Sequence, residues 1–420
     1  MPDSSQRVVI TGMGAISPFG SGVSNYFTGL REGRSGVRRL SLVDDPALAS
    51  QVAGEVPDFN PSTHMQASDI PRVPRLVPMA VGAAREALRD AGIDPQKLDL
   101  PDRRSIGVML VTGGGGIEFA ERQYEAFYGR QLRNLTPYCV SSSVVGMLSS
   151  EVSIALQLHG LSHVISTGCT SSTDAIGYAY QMIRWGRQEM LITGGAEACI
   201  TAGLMAGFCR MKIVSTRYND TPQRASRPFD RGRDGFVLGE GAWVFAVESL
   251  ARARSRGARI YAEITGYGST CDAFHRVSIR NDGQEPARAM QLAMEEAGIA
   301  KDRVQYVNLH GTATAMNDPV ETTAVKLAFN GSAEGLAMSA TKSMIGHPQG
   351  ACGAAGVMAS VFALQEQFIP PTINYDEPDP ACDLNYTPNK GVVRDVEYAL
   401  CNTIAFGSKN SALVLRRWES

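Results

Sequence analysis

The sequence has no pair of cysteines at Cys-x-x-Cys spacing, although it contains eight cysteines. Cysteines spread singly along a chain of 420 residues are typical of reduced thiols, and they argue against a disulfide framework or a zinc site. A large net charge is also missing, because 40 basic residues nearly balance 42 acidic ones. The composition contains no overall argument for a nucleic-acid or membrane-surface partner. We therefore expect no nucleic acid, no membrane and no metal.

Long hydrophobic runs are missing as well. The most apolar helical stretch, residues 350–364, is short, rich in glycine and alanine, and flanked by charge, so it predicts a buried helix and not a membrane span. A strand pattern begins almost at once, at residues 7–10, and we expect no signal peptide before it. These features predict a cytoplasmic globular protein.

The second part of the chain repeats the pattern of the first. Residues 259–268 repeat the strand and glycine turn of residues 7–14, and the strand predicted for residues 304–308 matches that for residues 106–111. The pattern predicts two copies of a βαβαβαββ unit, each of about 200 residues. Alternating strands and helices favour an α/β protein whose mainly parallel sheets lie between helix layers.

We place the boundary between the two halves at residue 255, so that one half spans residues 1–255 and the other residues 256–420. Active sites of such sheets collect at the carboxyl ends of strands. One cysteine of the first half and two histidines of the second half fall at predicted strand ends, and they are the first candidates for a site.

Cys169 follows a β-prone run, residues 164–167, and precedes a helical pattern whose start is favoured by Ser171 and Asp174. The positive end of a helix dipole favours thiolate over thiol, and unpaired N–H groups there can hold an oxyanion. These features predict a nucleophile. A free cysteine is also commonly a small buried apolar residue, and the local pattern alone leaves both interpretations open.

His310, in residues 308–314, lies just past a predicted strand, and Lys342 and His347 lie at the next strand-to-helix turn. Each histidine alone is better explained as structural. Together with Cys169 at the matching place of the first half, they predict acyl transfer to a thiolate. Two neutral imidazoles can stabilise an enolate formed by loss of CO2, whereas a cysteine protease needs one histidine and an orienting group.

Four motifs, at residues 166–171, 230–241, 308–314 and 341–347, carry a resemblance to a known family. The chain resembles the β-ketoacyl–acyl carrier protein synthases of the elongating class called synthase II, including the ketosynthase subunits of type II polyketide systems. The resemblance runs over nearly the whole chain and implies a thiolase fold, with duplicated halves in αβαβα layers.

The resemblance implies a decarboxylative Claisen condensation in fatty-acid or type II polyketide chain elongation. Cys169 would take an acyl group from an acyl carrier protein, and His310 and His347 would stabilise the enolate formed when malonyl carrier protein loses CO2. Substrates would arrive on the carrier's phosphopantetheine, with no other cofactor. The partners implied are the carrier protein and a second ketosynthase-like subunit, in a homodimer or a heterodimer.

The same resemblance implies roles for further residues. Lys342 would join a charge network with Glu321, and the backbone N–H groups of Cys169 and Phe406 would form the oxyanion hole. Side chains that match binding positions of the family hold the phosphopantetheine arm, gate the acyl pocket or line it. The arm residues are Thr312 and Thr314, the gate residues are Phe208 and Phe406, and the lining residue is Ile117.

Two segments depart from the fatty-acid enzymes. Residues 405–410 read Ala-Phe-Gly-Ser-Lys-Asn, where those enzymes usually have Gly-Phe-Gly-Gly-Thr-Asn, so the backbone of the gate should be less free. Gly168 stands where they usually have alanine, and glycine there is more typical of polyketide subunits. Both features favour a specialised biosynthetic pathway.

Three alternatives remain at this stage. A thiolase or a chalcone-synthase-like enzyme shares the fold but not the spacing of Lys342 and His347. A non-catalytic chain-length subunit would shape the pocket of an active sister, and such subunits usually lack the nucleophile.

For the acidic carrier, basic docking residues are expected, although ordinary solvated charges explain the candidates equally well. These candidates are Arg210, Lys212, Arg72 and Arg75.

Overall fold

The main sheet of the protein is mixed and contains ten strands. The structure, a computed structural model, describes residues 6–56, 58–330, 333–407 and 409–419. Nine strands of the sheet, in chain order, are β1 Val8–Ser17, β2 Ile106–Val111, β3 Met190–Glu197, β4 Gly241–Ser249, β5 Ala262–Cys271, β6 Tyr306–Asn308, β7 Ala337–Ser339, β8 Tyr398–Ala405 and β9 Lys409–Arg417. The tenth, Gly20–Ser21, pairs with the end of β1.

Thirteen α-helices lie in the described part of the chain. They are α1 Val23–Glu32, α2 Leu76–Asp90, α3 Leu100–Ser105, α4 Ile117–Tyr128, α5 Cys139–Ser143, α6 Met147–Leu156, α7 Ser171–Arg184, α8 Ala202–Met211, α9 Leu250–Ser255, α10 Gln284–Ala297, α11 Asn317–Phe329, α12 Lys342–Ile345 and α13 Cys352–Glu366. Two small sheets consist of Arg38–Arg39, Val52–Gly54 and Leu238–Gly239, and of Phe368–Ile369 and Val392–Val393.

The strand order across the main sheet is β7-β6-β8-β9-β5-β1-β4-β3-β2. In the first half β2 pairs in parallel with β3, which pairs antiparallel with β4, which pairs antiparallel with β1. In the second half β6, β8, β9 and β5 repeat these pairings in the same order. The halves join where β1 pairs antiparallel with β5 through Val8, Val9 and Ile10. The duplication predicted from the sequence is confirmed. The prediction of mainly parallel sheets is wrong, because five of the eight pairings among β1 to β9 are antiparallel. Strands that follow each other through a short turn, such as β8 and β9, pair antiparallel without a crossover helix.

The strand predicted at residues 164–167 is not formed. A strand there would match β7, which pairs in parallel with β6 at the edge of the second half. Instead, only Ser162 bridges Val108 of β2, and the His163 N–H donates to the Val108 carbonyl at 3.0 Å. Beyond that bridge the segment leaves the sheet edge, so its backbone has no ladder to continue.

Two buried helices, α7 and α13, form the central layer of the molecule. Both contact strands of the first half, including β3 and β4, and strands of the second half, including β9. On the outer faces α2 covers β1 and β4, while α10 covers β5 and β9. The strands of the first half and those of the second half therefore form two layers, with α7 and α13 between them and α2 and α10 on the outside. This order of helix, sheet, helix, sheet and helix confirms the layered α/β architecture.

The apolar stretch at residues 350–364 forms most of α13, and Cys352 to Leu364 of that helix are buried. The prediction of a buried helix is confirmed. Among the described residues, no helix is both long enough and apolar enough to cross a membrane.

Candidate active site

Cys169 lies in a short 3-10 turn, Gly168–Thr170, that leads directly into α7. The turn requires Gly168, whose φ of 75° is in the left-handed region that glycine adopts without strain. Ser171 closes the turn, because its hydroxyl accepts the Thr167 N–H at 2.8 Å and donates to the Gly168 carbonyl at 2.6 Å. The cysteine is thereby held, buried, at the first residues of the central helix.

The structure brings Cys169, His310 and His347 together. The sulfur and one ring nitrogen of each histidine all lie within 4.8 Å of one another, and all three residues are buried. The two imidazole rings meet edge to face, with centroids 5.3 Å apart. His310 follows β6, whereas His347 follows α12 and pairs through its N–H with the Val237 carbonyl at 2.7 Å.

Burial controls the protonation of this trio. It lowers the pKa of both histidines well below the usual range, and nearby Lys342 lowers both further, so the imidazoles are neutral at pH 7. Burial also raises the pKa of the Cys169 thiol far above its usual range, although Lys342 and the Phe406 N–H oppose the shift. Desolvation thus outweighs the helix start, which favours the thiolate, and the resting group is a thiol.

Lys342 and Glu321 hold the backbone around His310 from two sides. The Lys342 Nζ donates to the His310 carbonyl at 2.7 Å and lies 3.4 Å from its Nδ1. The Glu321 carboxylate accepts the N–H groups of His310 at 2.7 Å and Gly311 at 2.8 Å, and the Asn402 side-chain amide at 2.7 Å. Lys342 and Glu321 do not pair directly, so the predicted charge network runs through the peptide groups of His310.

A cavity of about 430 Å³ opens onto the trio. The predicted residues Thr312, Thr314 and Phe406 line it, and the two threonine hydroxyls lie 3.1 Å apart. Apolar side chains supply most of the remaining wall. They include Met211, Ile213, Phe236, Val277, Ile279, Met316 and Ile404. An apolar wall beside a buried thiol suits an acyl chain. Ser408, one of the altered residues of the predicted gate, lies outside the described residues.

Two predicted residues lie away from this cavity. Phe208 packs against Phe236 with ring centroids 5.3 Å apart, and Phe236 meets the His347 ring at 5.5 Å, so Phe208 reaches the site only through its neighbour. Ile117 opens α4 and is placed beside Gly114 and Cys199, because α4 begins behind the glycine turn. Ile117 is not among the residues that line this cavity, and its place in an acyl pocket stays a prediction.

Sequence reasoning missed Glu197, at the end of β3. Its buried carboxylate accepts the N–H groups of Gly113 at 2.7 Å, Gly114 at 3.2 Å and Gly350 at 2.9 Å. The glycine run after β2, residues 113–116, forms part of the lining of this carboxylate. Glu197 thereby fixes the turn that follows His347. The only sequence signal was the run of glycines.

Gln349 and Cys352 were also missed. The Cys169 thiol lies 3.8 Å from the Gln349 Oε1, and the Cys352 thiol donates to the Cys169 carbonyl at 3.1 Å. Neither residue belongs to a pattern of spacing that would single it out. Cys169, His310 and His347 could together offer three ligands to a metal, but a lysine cation beside His310 disfavours one.

The fold has close counterparts among solved structures. A structure described as the ishigamide ketosynthase/chain length factor has a TM-score of 0.91 and 34% identity, over 99% of this chain and 100% of that chain. A ketosynthase bound to the hexaketide, in complex with a type II polyketide acyl carrier protein, has a TM-score of 0.90 and 31% identity over the same shares. Fold and site define a thiolase-like ketosynthase.

The chain also matches two family models in succession. They are Beta-ketoacyl synthase, N-terminal domain, over residues 5–253, and Beta-ketoacyl synthase, C-terminal domain, over residues 261–376. The 3-oxoacyl-[acyl-carrier-protein] synthase 2 of Coxiella burnetii is 39% identical over 412 residues, which cover 98% of this chain and 99% of the relative. The protein of the same name from Staphylococcus aureus (strain COL) is 40% identical over 415 residues, 99% of each. The chain belongs to the β-ketoacyl synthase family.

Proposed function

We propose that this protein joins an acyl group held on Cys169 to the two-carbon unit of malonyl–acyl carrier protein, and releases CO2 and a β-ketoacyl–acyl carrier protein. One observation carries the proposal: a buried thiol and two neutral imidazoles lie within 4.8 Å of one another at the end of an apolar cavity. Full-length relatives named as 3-oxoacyl-carrier-protein synthases support the same acyltransferase reaction.

In the first half-reaction the Cys169 sulfur attacks the thioester carbonyl of an acyl carrier protein. Because the resting group is a thiol, its proton must leave during the attack, and the neutral imidazole of His347 is close enough to accept it. The Phe406 N–H points to the Cys169 sulfur and, with the Cys169 N–H at the start of α7, would hold the oxyanion. The carrier's thiol then leaves with the proton.

In the second half-reaction the two histidines act as hydrogen-bond donors. The Lys342 ammonium lies 3.4 Å from the His310 Nδ1, which therefore serves as an acceptor and leaves the proton on Nε2. Neutral N–H groups of His310 and His347 would stabilise the enolate formed when the malonyl group loses CO2. The carbanion attacks the Cys169 thioester and forms the new carbon–carbon bond. The bond between the acyl carbon and the Cys169 sulfur breaks, and the sulfur is released.

Substrates would arrive on the phosphopantetheine arm of the carrier, alongside Thr312 and Thr314. Lys212 lines the cavity mouth and Arg210 is exposed on the same helix end, so both suit docking of an acidic carrier. Arg75 is a poorer candidate, because it pairs with the buried carboxylate of Glu240 at 2.8 Å. Phe208 would gate the pocket through Phe236.

A second subunit would cover the edge of the first half. The backbone beyond Ser162 leaves its ladder unfinished at the sheet edge, and exposed edges of this kind pair readily with another strand. Large apolar side chains are exposed on α4 to α6 nearby. They include Tyr124, Tyr128, Val140 and Ile154. These surfaces support a homodimer or a heterodimer with a related subunit, and Ile117, at the start of α4, would line a pocket completed there.

Four expectations stay predictions. They are the division at residue 255, the cytoplasmic location, the lack of a cofactor other than phosphopantetheine, and the lack of a nucleic-acid or metal partner. They rest on the sequence pattern and on the chemistry of the proposed reaction, which uses only the side chains already described.

The test is the intact mass of the purified protein after exposure to a panel of acyl carrier protein thioesters. We expect an adduct on the wild type and none on Cys169→Ala, and discharge of the adduct by malonyl carrier protein into a longer product. An adduct that malonyl carrier protein does not discharge would contradict the condensation step. No adduct with any donor, alone or with a sister subunit, would favour the non-catalytic chain-length role instead.

A further inference from the structure

Gln349 brings a polar side chain to the nucleophile in a wall that is otherwise largely apolar. Its Oε1 lies 3.8 Å from the Cys169 sulfur, in the direction of a weak S–H hydrogen bond, and it lines the same cavity. Its Nε2 is buried and has no hydrogen-bond partner among the described residues. A buried amide with an unused NH2 group is costly unless another state of the site uses it.

The backbone at Gln349 supports the same interpretation. Its φ of 36° lies in the left-handed region, where residues other than glycine and asparagine are strained. The turn is held in place from behind, because the Gly350 N–H donates to Glu197 at 2.9 Å. The fold therefore keeps a side chain with an amide at a position where glycine would be less strained, and directs it at the sulfur.

We propose that Gln349 is a positioning residue for the nucleophile: its carbonyl accepts the Cys169 S–H at rest, and its amide turns to donate an N–H to the sulfur once the proton has left. The proton moves to a neutral imidazole nitrogen of His347. The rotation exchanges Oε1 and Nε2, so the unused donor of the resting state becomes the partner of the sulfur anion. The proposal rests on the proposed role of Cys169 as the nucleophile.

Other charged and polar groups around the Cys169 sulfur also favour or oppose its thiolate. Lys342 and the Phe406 N–H favour the thiolate, whereas Glu197 and the second thiol at Cys352 oppose it. The two histidines are neutral and add no charge. None of these groups changes when Gln349 is replaced. A change in the reactivity of the Cys169 sulfur therefore reports the effect of the Gln349 amide on the thiolate.

The test is the rate at which iodoacetamide alkylates Cys169 between pH 6 and pH 9, followed by peptide mass spectrometry on the full chain. In this reaction the thiolate forms the carbon–sulfur bond and iodide leaves. Cys271 is exposed and supplies an internal reference on the same molecule. Gln66→Leu is the matched control, because it makes the same chemical change at an exposed side chain that does not line the cavity.

We expect the pH profile of the Cys169 alkylation rate to move to higher pH by about one unit in Gln349→Leu, since the anion loses one hydrogen bond. Labelling is then about tenfold slower at a given pH. Gln349→Glu should be slower still, because a carboxylate repels the anion. Gln349→Asn suits the left-handed backbone and withdraws the amide from the sulfur, so it should match Gln349→Leu. The rates of Gln66→Leu and of Cys271 should match the wild type.

Labelling of Gln349→Asn or Gln349→Leu within twofold of the wild type at every pH would overturn the proposal, and so would faster labelling of Gln349→Glu. An unfolded variant is recognisable because its buried Cys401 would react as fast as Cys271. If Gln349→Leu is unfolded, the labelling rate of Gln349→Asn, which the left-handed backbone tolerates, tests the proposal. Alkylation needs no carrier protein, so failure of this inference is distinguishable from failure of the acyl-transfer proposal.

Discussion

Replacing Glu321 by glutamine tests whether His310 is held by its backbone. The buried carboxylate accepts the N–H groups of His310 and Gly311 and the amide of Asn402, all within 2.8 Å. Glutamine has nearly the same shape but only one oxygen. Its NH2 group must face at least one of these donors, so Glu321→Gln leaves a buried N–H without an acceptor.

The size of the effect follows from these contacts. An unpaired buried N–H costs about 1–3 kcal/mol, and the bonds that remain lose the assistance of a charge. Part of this cost is offset, because burial raises the pKa of Glu321 and the neutral amide no longer carries a buried charge. We expect a net loss of about 2 kcal/mol in the free energy of unfolding, and a condensation rate about a hundredfold lower because His310 shifts.

The free energy is measured by urea unfolding, and the two half-reactions are measured separately by mass. The Cys169 adduct should still form on Glu321→Gln, whereas its discharge by malonyl carrier protein should be slow. Glu366→Gln makes the same chemical change at a half-exposed ion pair with Arg31, and should alter stability by less than about 1 kcal/mol. Wild-type stability and wild-type discharge in Glu321→Gln would refute the reasoning.

Three further predictions concern protonation and packing. Because burial lowers the pKa of His310 and His347, both histidines take up protons on unfolding below pH about 6.5. The free energy of unfolding, measured in urea, should therefore fall as the pH drops, by about 1.4 kcal/mol per pH unit for each histidine. A flat profile between pH 5.5 and 6.5 would contradict this. Gly353→Ala should lower the unfolding free energy by about 1–3 kcal/mol, because its Cβ would lie 2.1 Å from the Thr173 hydroxyl. Gly207→Ala, where a Cβ meets open space in a helix, should instead raise it by up to about 1 kcal/mol. Equal melting temperatures for the two glycine variants would count against the close packing of α7 and α13.

Much of the fold could be predicted because its signals are local. Strand and glycine patterns at both chain halves predicted the duplication, and β1 and β5 do occupy equivalent places beside each other. The apolar stretch that became α13 is buried on all sides, as its composition predicted. The strand predicted at residues 164–167 was wrong, because β-propensity does not say whether a neighbouring strand is there to pair with.

The candidate site divides in the same way. Cys169, His310 and His347 stand in short motifs whose residue types report their chemistry, and the structure places them together. Ile117 and Phe208 were assigned to the pocket by resemblance, yet α4 and Phe236 keep their side chains from this cavity. Side-chain placement depends on which elements pack beside each residue, and no local pattern contains that information.

The sequence by itself determined the periodicity of two similar halves and the motifs that make Cys169, His310 and His347 the candidates for the site, and hence the class of chemistry that we predict. Only the tertiary structure decided the state in which those groups rest. Burial at the junction of the halves keeps the thiol protonated and the imidazoles neutral. It also brings Gln349 to a sulfur 180 residues away in the chain. Desolvation and contact depend on distances in space, and these exist only once the two halves have packed against α7 and α13.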